Sequence, residues 1–193
     1  GLSPGHGDRA IEIGALRVEN GRITDCFQQL MNPGRRINSF IEDYTGITNA
    51  MLCEAPACEE VMAEFSDFIG DFDLVAHNAS FDRRFLDAEL QHVGCSYTGD
   101  FACSMLVSRR VYPEAPSHKL GTLVEYRGLP VTGAFHRALA DAEMTTHLWL
   151  QMLNDIRDRH CMEAIPFSIM QALSKVARAS APAYLQRWRE EGG

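Results

Sequence analysis

The short apolar run Leu74-Val75-Ala76 is the feature that most constrains how this chain of 193 residues can fold. Such a run is typical of a β-strand buried on both faces, and strands of this kind lie in sheets that helices cover. The polar residues His77-Asn78-Ala79-Ser80 follow at once, and then a pattern of helical spacing begins whose apolar side is Phe81, Phe85, Ala88 and Val93. Gly94 ends that helix. The sequence therefore predicts an α/β fold.

Strands and helices alternate along the rest of the chain. Residues 10–18 alternate apolar and polar side chains as a strand does, Asn20-Gly21 predicts a hairpin turn, and Arg22–Met31 returns as the antiparallel partner. The mix of Gly, Asn, Thr and Pro with short apolar pieces in residues 35–55 predicts a loop with brief helical turns. A further strand is predicted near 98–103, and further helices at 57–69, through 105–107, at 118–126 and at 137–156. We therefore expect a mixed sheet flanked by helices.

The length favours one domain with an appendage, which we place at residues 1–156 and 157–193. The appendage contains one amphipathic helix, from Phe167 to about Ala179, and a second piece that is interrupted by proline and ends at Trp188. Two interpretations remain open at this stage. The segment is a helical extension packed on the domain, or it is a tail that docks a partner protein.

The charge of the chain is acidic, with 18 basic and 26 acidic residues and a formal net charge of −8. This balance argues against a broad basic surface for duplex nucleic acid, but it leaves room for an acidic pocket that holds cations. None of the six cysteines has the spacing of a zinc site, and we find neither a secretory signal nor a membrane-spanning run. We therefore expect reduced thiols and a cytoplasmic protein.

The first candidate site is His77-Asn78-x-x-Phe81-Asp82, at the C-terminal end of the predicted buried strand. Ligands bind at that edge of open α/β sheets. A structural interpretation also remains open, because Asn78 or Ser80 can cap the helix while Asp82 interacts with the helix dipole.

The second candidate site combines His136 and Asp141 at the start of the predicted long helix. A gap of five residues turns about 140° along a helix, so the two side chains cannot share a helical face. If they act together, His136 lies in the segment that leads into the helix and Asp141 lies in its first turns.

Taken together and in this order, the two sites resemble the second and third motifs of the DEDDh 3′–5′ exonucleases. That family includes epsilon-like proofreading subunits of bacterial DNA polymerase III, RNase T and oligoribonuclease. Three further stretches look similar to the family: Gly1-Leu2-Ser3-Pro4 with Asp8–Ala15, Gly46-Ile47-Thr48, and His118–Leu123. The resemblance covers roughly residues 1–154.

The resemblance implies an RNase H-like fold with a mixed five-stranded sheet. It implies that Asp82 and Asp141 bind Mg²⁺ or Mn²⁺, two ions in the intact site, and that His136 is the general base. Phe81 and Leu2 match family positions near the terminal nucleotide, although simple core packing explains Phe81 equally well. His77 and Asn78 are expected to shape the substrate-binding pocket. The implied activity is hydrolysis of single-stranded 3′ ends to nucleoside monophosphates, with DNA favoured over RNA. Arg83 and Arg84, or Arg109 and Arg110, either contact phosphates beyond the scissile one or form a solvated helix face. A polymerase or another protein is the partner expected for the C-terminal extension.

One departure from the family pattern concerns its first motif. Asp-x-Glu-Thr lies just before the Gly-Leu that matches Gly1-Leu2, so the first strand and two of the four metal-binding carboxylates are absent from these residues. We expect that the N-terminus has been lost and that the 193 residues alone are nearly inactive. The alternative is a non-catalytic relative that serves as a nucleic-acid-binding or scaffold domain.

Overall fold

The computed structural model describes residues 7–131 and 137–192, which fall into two compact units. The first unit holds residues 7–72, 80–99 and 137–143, and the second holds 73–79, 100–131 and 144–192. In chain order the elements are β1 (Glu12–Glu19), β2 (Arg22–Leu30), α1 (Ser39–Thr45), α2 (Asn49–Cys53), α3 (Cys58–Ile69), β3 (Leu74–Ala76), α4 (Ala79–His92), β4 (Phe101–Cys103), α5 (Ser104–Val111), α6 (Leu120–Tyr126), α7 (Ala138–His160), α8 (Phe167–Leu173), a 3-10 turn (Arg178–Ser180) and α9 (Ala181–Gly192).

The hairpin of β1 and β2 follows the prediction closely. Asn20 and Gly21 adopt φ angles of 52° and 74°, as the two central residues of a type I′ turn require. The strands pair antiparallel from Glu12 opposite Leu30 to Glu19 opposite Arg22, with a bulge after Arg17. The Asn-Gly turn alone was sufficient to predict this hairpin, because the turn fixes the register in which the two strands pair.

Residues 35–55 are more helical than predicted, because they contain α1 and α2. The side chain of Asn38 accepts a hydrogen bond from the backbone of Ile41 at 3.0 Å, and Thr48 caps Met51 in the same way at 3.2 Å. Helices this short show little periodicity in sequence, so side-chain caps and a few buried residues determine them.

The core of the first unit forms where α3 packs on β2. Val61, Met62, Phe65 and Ile69 of α3 are buried, as the predicted helical spacing requires. The ring of Phe27 on β2 meets the ring of Phe65 edge-on, with centroids 5.2 Å apart. Cys58, at the start of α3, is fully buried, and its thiol lies 3.2 Å from the carbonyl of Asn32.

In the second unit, β3 pairs with β4 in parallel, with Leu74 opposite Phe101. Helices from both predicted segments share its core, whose buried members are Val107, Val111, Tyr112, Leu123, Leu148, Met152, Ile156, Met162, Ile169, Met170, Leu173, Ala181 and Leu185. α7 also continues past the predicted boundary at residue 156. Residues 162–185 are therefore packed within this unit, while the boundary between domain and extension stays a prediction.

Four strands occur among residues 7–131 and 137–192, one antiparallel pair and one parallel pair. The described strands therefore form two separate two-stranded sheets, and a single five-stranded sheet stays a prediction. None of the helices in the described segments combines the length and the apolar character that crossing a membrane requires.

Candidate active site

Asp82 lies in the first turn of α4, four residues into the helix that follows β3. Between strand and helix, Asn78 adopts the left-handed conformation with φ 69°. Asparagine tolerates that region better than most residues, so the chain can turn sharply here from strand to helix. The Asp82 side chain is exposed to solvent.

Asp141 occupies the first turn of α7 in the first unit and is half-buried. Its backbone N–H donates to the carbonyl of Arg137 at 3.0 Å, so the residue is already within the helical hydrogen-bond pattern. His136, the predicted general base, lies outside the described residues, as does Leu2.

The two carboxylates interact electrostatically within the first unit. The pKa of Asp82 is raised to about 6, chiefly because the surrounding protein desolvates its charged form, and the negative charge of Asp141 acts in the same direction. A backbone hydrogen bond at Asp82 opposes the shift. Desolvation is the larger cause even though solvent reaches this side chain, which indicates a carboxylate crowded by protein on its other sides. The structure thus brings together the two acidic residues that the sequence analysis selected from different helices.

Glu12, on β1, holds the N-terminus of α7 in place. Its carboxylate accepts hydrogen bonds from Nε and Nη2 of Arg137, at 3.2 and 2.9 Å, and from the backbone N–H of Ala138 at 2.9 Å. The Glu12 side chain is only 5% exposed. The Glu12 carboxylate therefore caps the N-terminus of α7 from a neighbouring strand. It accepts a hydrogen bond from a backbone N–H that has no partner within the helix, and its negative charge interacts favourably with the positive end of the helix dipole.

Arg9 connects the same chain segment to α4. Its Nε donates to both carboxylate oxygens of Glu89, at 2.9 and 3.1 Å, and the backbone N–H of Ala10 donates to Glu89 at 2.7 Å. Glu89 is 2% exposed and lies two turns beyond Asp82 on α4. Residues 9–12 therefore bind both helices that carry the candidate metal ligands.

Gly14 allows β1 to approach the start of α7 more closely than any other residue would. A Cβ atom at this position would lie 2.4 Å from the backbone nitrogen of Leu139 and 2.6 Å from the carbonyl carbon of Ala138. Backbone atoms cannot rotate away as a side chain can. We refer below to Arg9, Glu12, Gly14, Glu89 and Arg137 as the β1 clamp.

The β1 clamp was missed by the sequence analysis. Glu12 and Arg137 are 125 residues apart along the chain, and neither was among the predicted site residues. Only the close approach implied by a glycine within a strand offered a local signal.

Three predicted substrate residues lie at the β3–α4 connection. His77 is half-buried, and its Nε2 donates to the carbonyl of His118 while Nδ1 lies 2.9 Å from the Ser104 hydroxyl. Burial is the main cause that lowers the pKa of His77. Asn78 is exposed, and the half-buried ring of Phe81 packs on Phe85 with centroids 5.1 Å apart. Both ring nitrogens of His77 are thus already engaged, and its contact with substrate stays a prediction.

The negative charge of Asp141 makes ionisation of Asp82 more costly, and such a pair fits a divalent cation because the bound ion would offset the repulsion. Carboxylate oxygens are also the donors that Mg²⁺ and Mn²⁺ prefer. Asp82 and Asp141 fit such an ion as part of its ligand set. In the described part of the chain, no three His, Cys, Asp or Glu side chains converge in a way that could hold a metal.

Solved structures with a similar fold are exonucleases. Exonuclease X, in complex with a 5′-overhanging duplex DNA, has a TM-score of 0.66 and 27% identity over 85% of this chain and 90% of that one. The nuclease domain of 3′hExo, a DEDDh family member bound to rAMP, has a TM-score of 0.63 and 22% identity over 75% and 80% of the two chains. The latter identity supports the fold alone. The RNase H-like α/β fold predicted from the sequence is therefore confirmed.

The model of the exonuclease family RNase_T matches residues 1–149, so the chain belongs to this family of DEDDh-type 3′–5′ exonucleases. PolC-type DNA polymerase III of Staphylococcus saprophyticus is 37% identical over 150 residues, which is 77% of this chain and 10% of that protein. The PolC-type DNA polymerase III of Bacillus cereus is 36% identical over 153 residues, or 79% and 11% of the two chains. The chain spans about a tenth of the length of these relatives.

Proposed function

We propose that this chain is the catalytic region of a metal-dependent 3′–5′ exonuclease that releases nucleoside monophosphates from single-stranded 3′ ends. The observation that carries the proposal is the electrostatic coupling of Asp82 and Asp141 on the first turns of α4 and α7. Membership of the exonuclease family supports it.

In this proposal Asp82 and Asp141 hold Mg²⁺ or Mn²⁺ as two ligands of a two-ion site. Bound divalent ions would supply charge compensation for the phosphate and lower the pKa of the attacking water. Both carboxylates project from helix termini that the β1 clamp holds in place. This rigidity favours the precise positioning of the metal ions and the phosphate that hydrolysis needs.

His136 is proposed to accept the proton of the attacking water on an imidazole nitrogen, because imidazole titrates near neutral pH. Phe81 and Leu2 are proposed to contact the terminal nucleotide, while His77 and Asn78 are proposed to shape the pocket. Each of these roles comes from a match to family positions.

DNA is the substrate that we favour, since the PolC-type relatives are named as DNA polymerases and exonuclease X is bound to DNA. The same relatives favour a polymerase as partner. All six cysteines are free thiols, which is in keeping with a cytoplasmic location.

The test is digestion of a 5′-labelled single strand with Mn²⁺ by the chain prepared together with any residues that its gene encodes before Gly1. We expect Asp82→Asn, Asp141→Asn and His136→Gln each to reduce the rate by at least about 100-fold, since each removes several kcal/mol of transition-state stabilisation. Asp87→Asn is the matched control, because Asp87 is an exposed carboxylate on the same helix. Full activity in an Asp82 or Asp141 variant would refute the site.

A second candidate function is a non-catalytic strand-binding or scaffold domain. It is favoured by the fact that, among the described residues, no third His, Cys, Asp or Glu joins Asp82 and Asp141 to complete a metal-binding group. The two functions separate in the same assay. If the residues encoded before Gly1 lack Asp-x-Glu-Thr and the preparation binds a strand without cutting it, the non-catalytic function is correct.

A further inference from the structure

Three arginines gather in the second unit. Arg109 and Arg110 end α5, and Arg178 begins the 3-10 turn. In the same unit, Arg127 and Arg159 both pair with Asp155, at 2.9 and 3.6 Å. Within the described segments, none of the three clustered arginines has a carboxylate oxygen within 4.0 Å.

Backbone carbonyls hold two of these guanidinium groups in position. Arg110 donates through Nε to Val176 at 2.8 Å and through Nη1 to Leu106 at 2.8 Å. Arg178 donates through Nε to Arg109 at 3.2 Å and through Nη2 to Pro113 at 3.1 Å. Each guanidinium carries five N–H donors, so both retain N–H groups beyond these contacts.

The positive charges of the three side chains act on one another. Burial is the largest cause that lowers the pKa of Arg110, and the charges of Arg109 and Arg178 lower it further. Arg109 and Arg178 are exposed, and Arg110 is half-buried. A folded chain with 26 acidic residues thus keeps three like charges together without using an acid to offset them.

We propose that Arg109, Arg110 and Arg178 form a phosphate-binding site for the backbone of a single-stranded nucleic acid, in addition to the metal site. Arginine matches phosphate oxygens through paired N–H donors, and carbonyl-anchored side chains lose little entropy on binding. A strand is favoured over an acidic peptide because the family acts on nucleic acid, so this inference rests in part on the proposed function.

The test measures binding of a fluorescent oligothymidylate of about 12 nucleotides by anisotropy, in EDTA so that no cleavage occurs. Each phosphate contact contributes about 0.7 to the slope of log K against log salt for single strands. Arg109→Gln and Arg178→Gln should each reduce that slope by about 0.7, which is about a five-fold loss of affinity at 0.1 M salt, and the double variant by about 1.4. Among the described residues the Arg109 side chain makes no hydrogen bond, so Arg109→Gln removes charge without removing a contact that holds the fold.

Arg22→Gln is the matched control, since Arg22 is an exposed arginine at the hairpin of the first unit. Unchanged slopes in both cluster variants, or equal losses in the control, would overturn the site. So would poly-glutamate that displaces the strand as well as unlabelled oligothymidylate does, because the site would then favour an acidic protein.

A small substrate distinguishes failure of the arginine site from failure of the exonuclease proposal. The p-nitrophenyl ester of thymidine 5′-monophosphate offers one phosphate to the metal site and no extended backbone. The preparation that includes the residues upstream of Gly1 should hydrolyse it at the same rate with and without Arg109→Gln, while Asp141→Asn abolishes the reaction. If no variant or parent hydrolyses the ester but the slopes change as expected, the exonuclease proposal fails and the arginine site stands.

Discussion

Glu12 contributes to the fold and to the candidate site through a single carboxylate. It offsets the charge of Arg137, caps the backbone of Ala138, and so fixes the helix turn from which Asp141 projects. Since the carboxylate is almost fully buried, its loss would leave N–H groups of Arg137 and Ala138 without an acceptor. The free-energy cost of such an unpaired buried donor exceeds the net contribution of the hydrogen bond to stability.

Glu12→Gln is expected to lower the free energy of unfolding by about 1–3 kcal/mol, because an amide cannot accept all three N–H groups and leaves Arg137 without its counter-charge. Urea denaturation measures the loss. Asp25→Asn is the control, since the Arg17–Asp25 pair is 25% and 52% exposed and such pairs contribute at most about 1 kcal/mol. Equal losses in the two variants would show that Glu12 is not a buried cap.

Gly14 is a position at which one methyl group decides the fit of strand and helix. Gly14→Ala should destabilise the chain by about 1–3 kcal/mol, because the new Cβ meets the backbone of Leu139 and the helix must shift. The comparison variant is Gly34→Ala, where φ is +70° and no atom lies within 4 Å, so that only backbone strain is measured. If the direct Mn²⁺ affinity of Gly14→Ala equals that of the parent, the clamp does not position Asp141.

At the scale of elements, the turn from β3 to α4 depends on a neutral histidine. His77 has a lowered pKa, so the folded state holds its proton less tightly than the unfolded chain, whose value is near 6.5. The unfolded state therefore binds more protons below that pH, and stability must fall as the solution is acidified.

We expect the free energy of unfolding of the parent to fall between pH 7.5 and 5.5 by more than that of His77→Gln. Glutamine keeps a donor for the carbonyl of His118 but does not titrate. Urea melts at several pH values provide the measurement, and comparing the two proteins cancels other groups such as His160, whose pKa burial also lowers. Parallel pH profiles would mean that His77 is not held neutral by the fold.

Elements with a strong local signal could be predicted from the sequence. Asn20-Gly21 fixed the β1–β2 hairpin, and the apolar run Leu74–Ala76 identified β3 with its bounds. Within residues 35–55 the caps Asn38 and Thr48 were visible, but a helix of five to seven residues has too few apolar positions to show a period.

The candidate site was likewise predictable only where a local motif marks its residues. Asp82 and Asp141 stand in recognisable motifs, so their selection needed no coordinates. The contacts of Glu12 with Arg137 and of Arg9 with Glu89 join residues 125 and 80 positions apart. Their partners are chosen by tertiary packing, which leaves no local trace in the sequence.

At the scale of the whole molecule, residues 162–185 contribute side chains to the core of the second unit. Ile169, Met170 and Leu173 of α8 are buried in the same core as Leu148 and Met152 of α7. Deleting the segment would uncover that core, so a deletion cannot by itself show that the segment binds a partner.

Leu173→Ala should lower the free energy of unfolding by about 2–5 kcal/mol, because the residue is fully buried and its neighbours cannot close the cavity completely. Val131→Ala, at a side chain that is 55% exposed, should change stability by no more than about 0.5 kcal/mol. Chemical denaturation of both variants tests this. A small loss at Leu173 would mean that the C-terminal helices are dispensable for the second unit.

The distribution of the thiols gives the molecule a practical property. Cys26, Cys53 and Cys161 are exposed, whereas Cys58 is buried with its pKa raised to about 11, chiefly by desolvation. Only thiolates react readily with maleimides, so a fluorophore applied at neutral pH should attach to the exposed positions and leave Cys58 untouched. Keeping one exposed cysteine at a time would place a reporter on the hairpin, on α2 or just after α7 without disturbing either core.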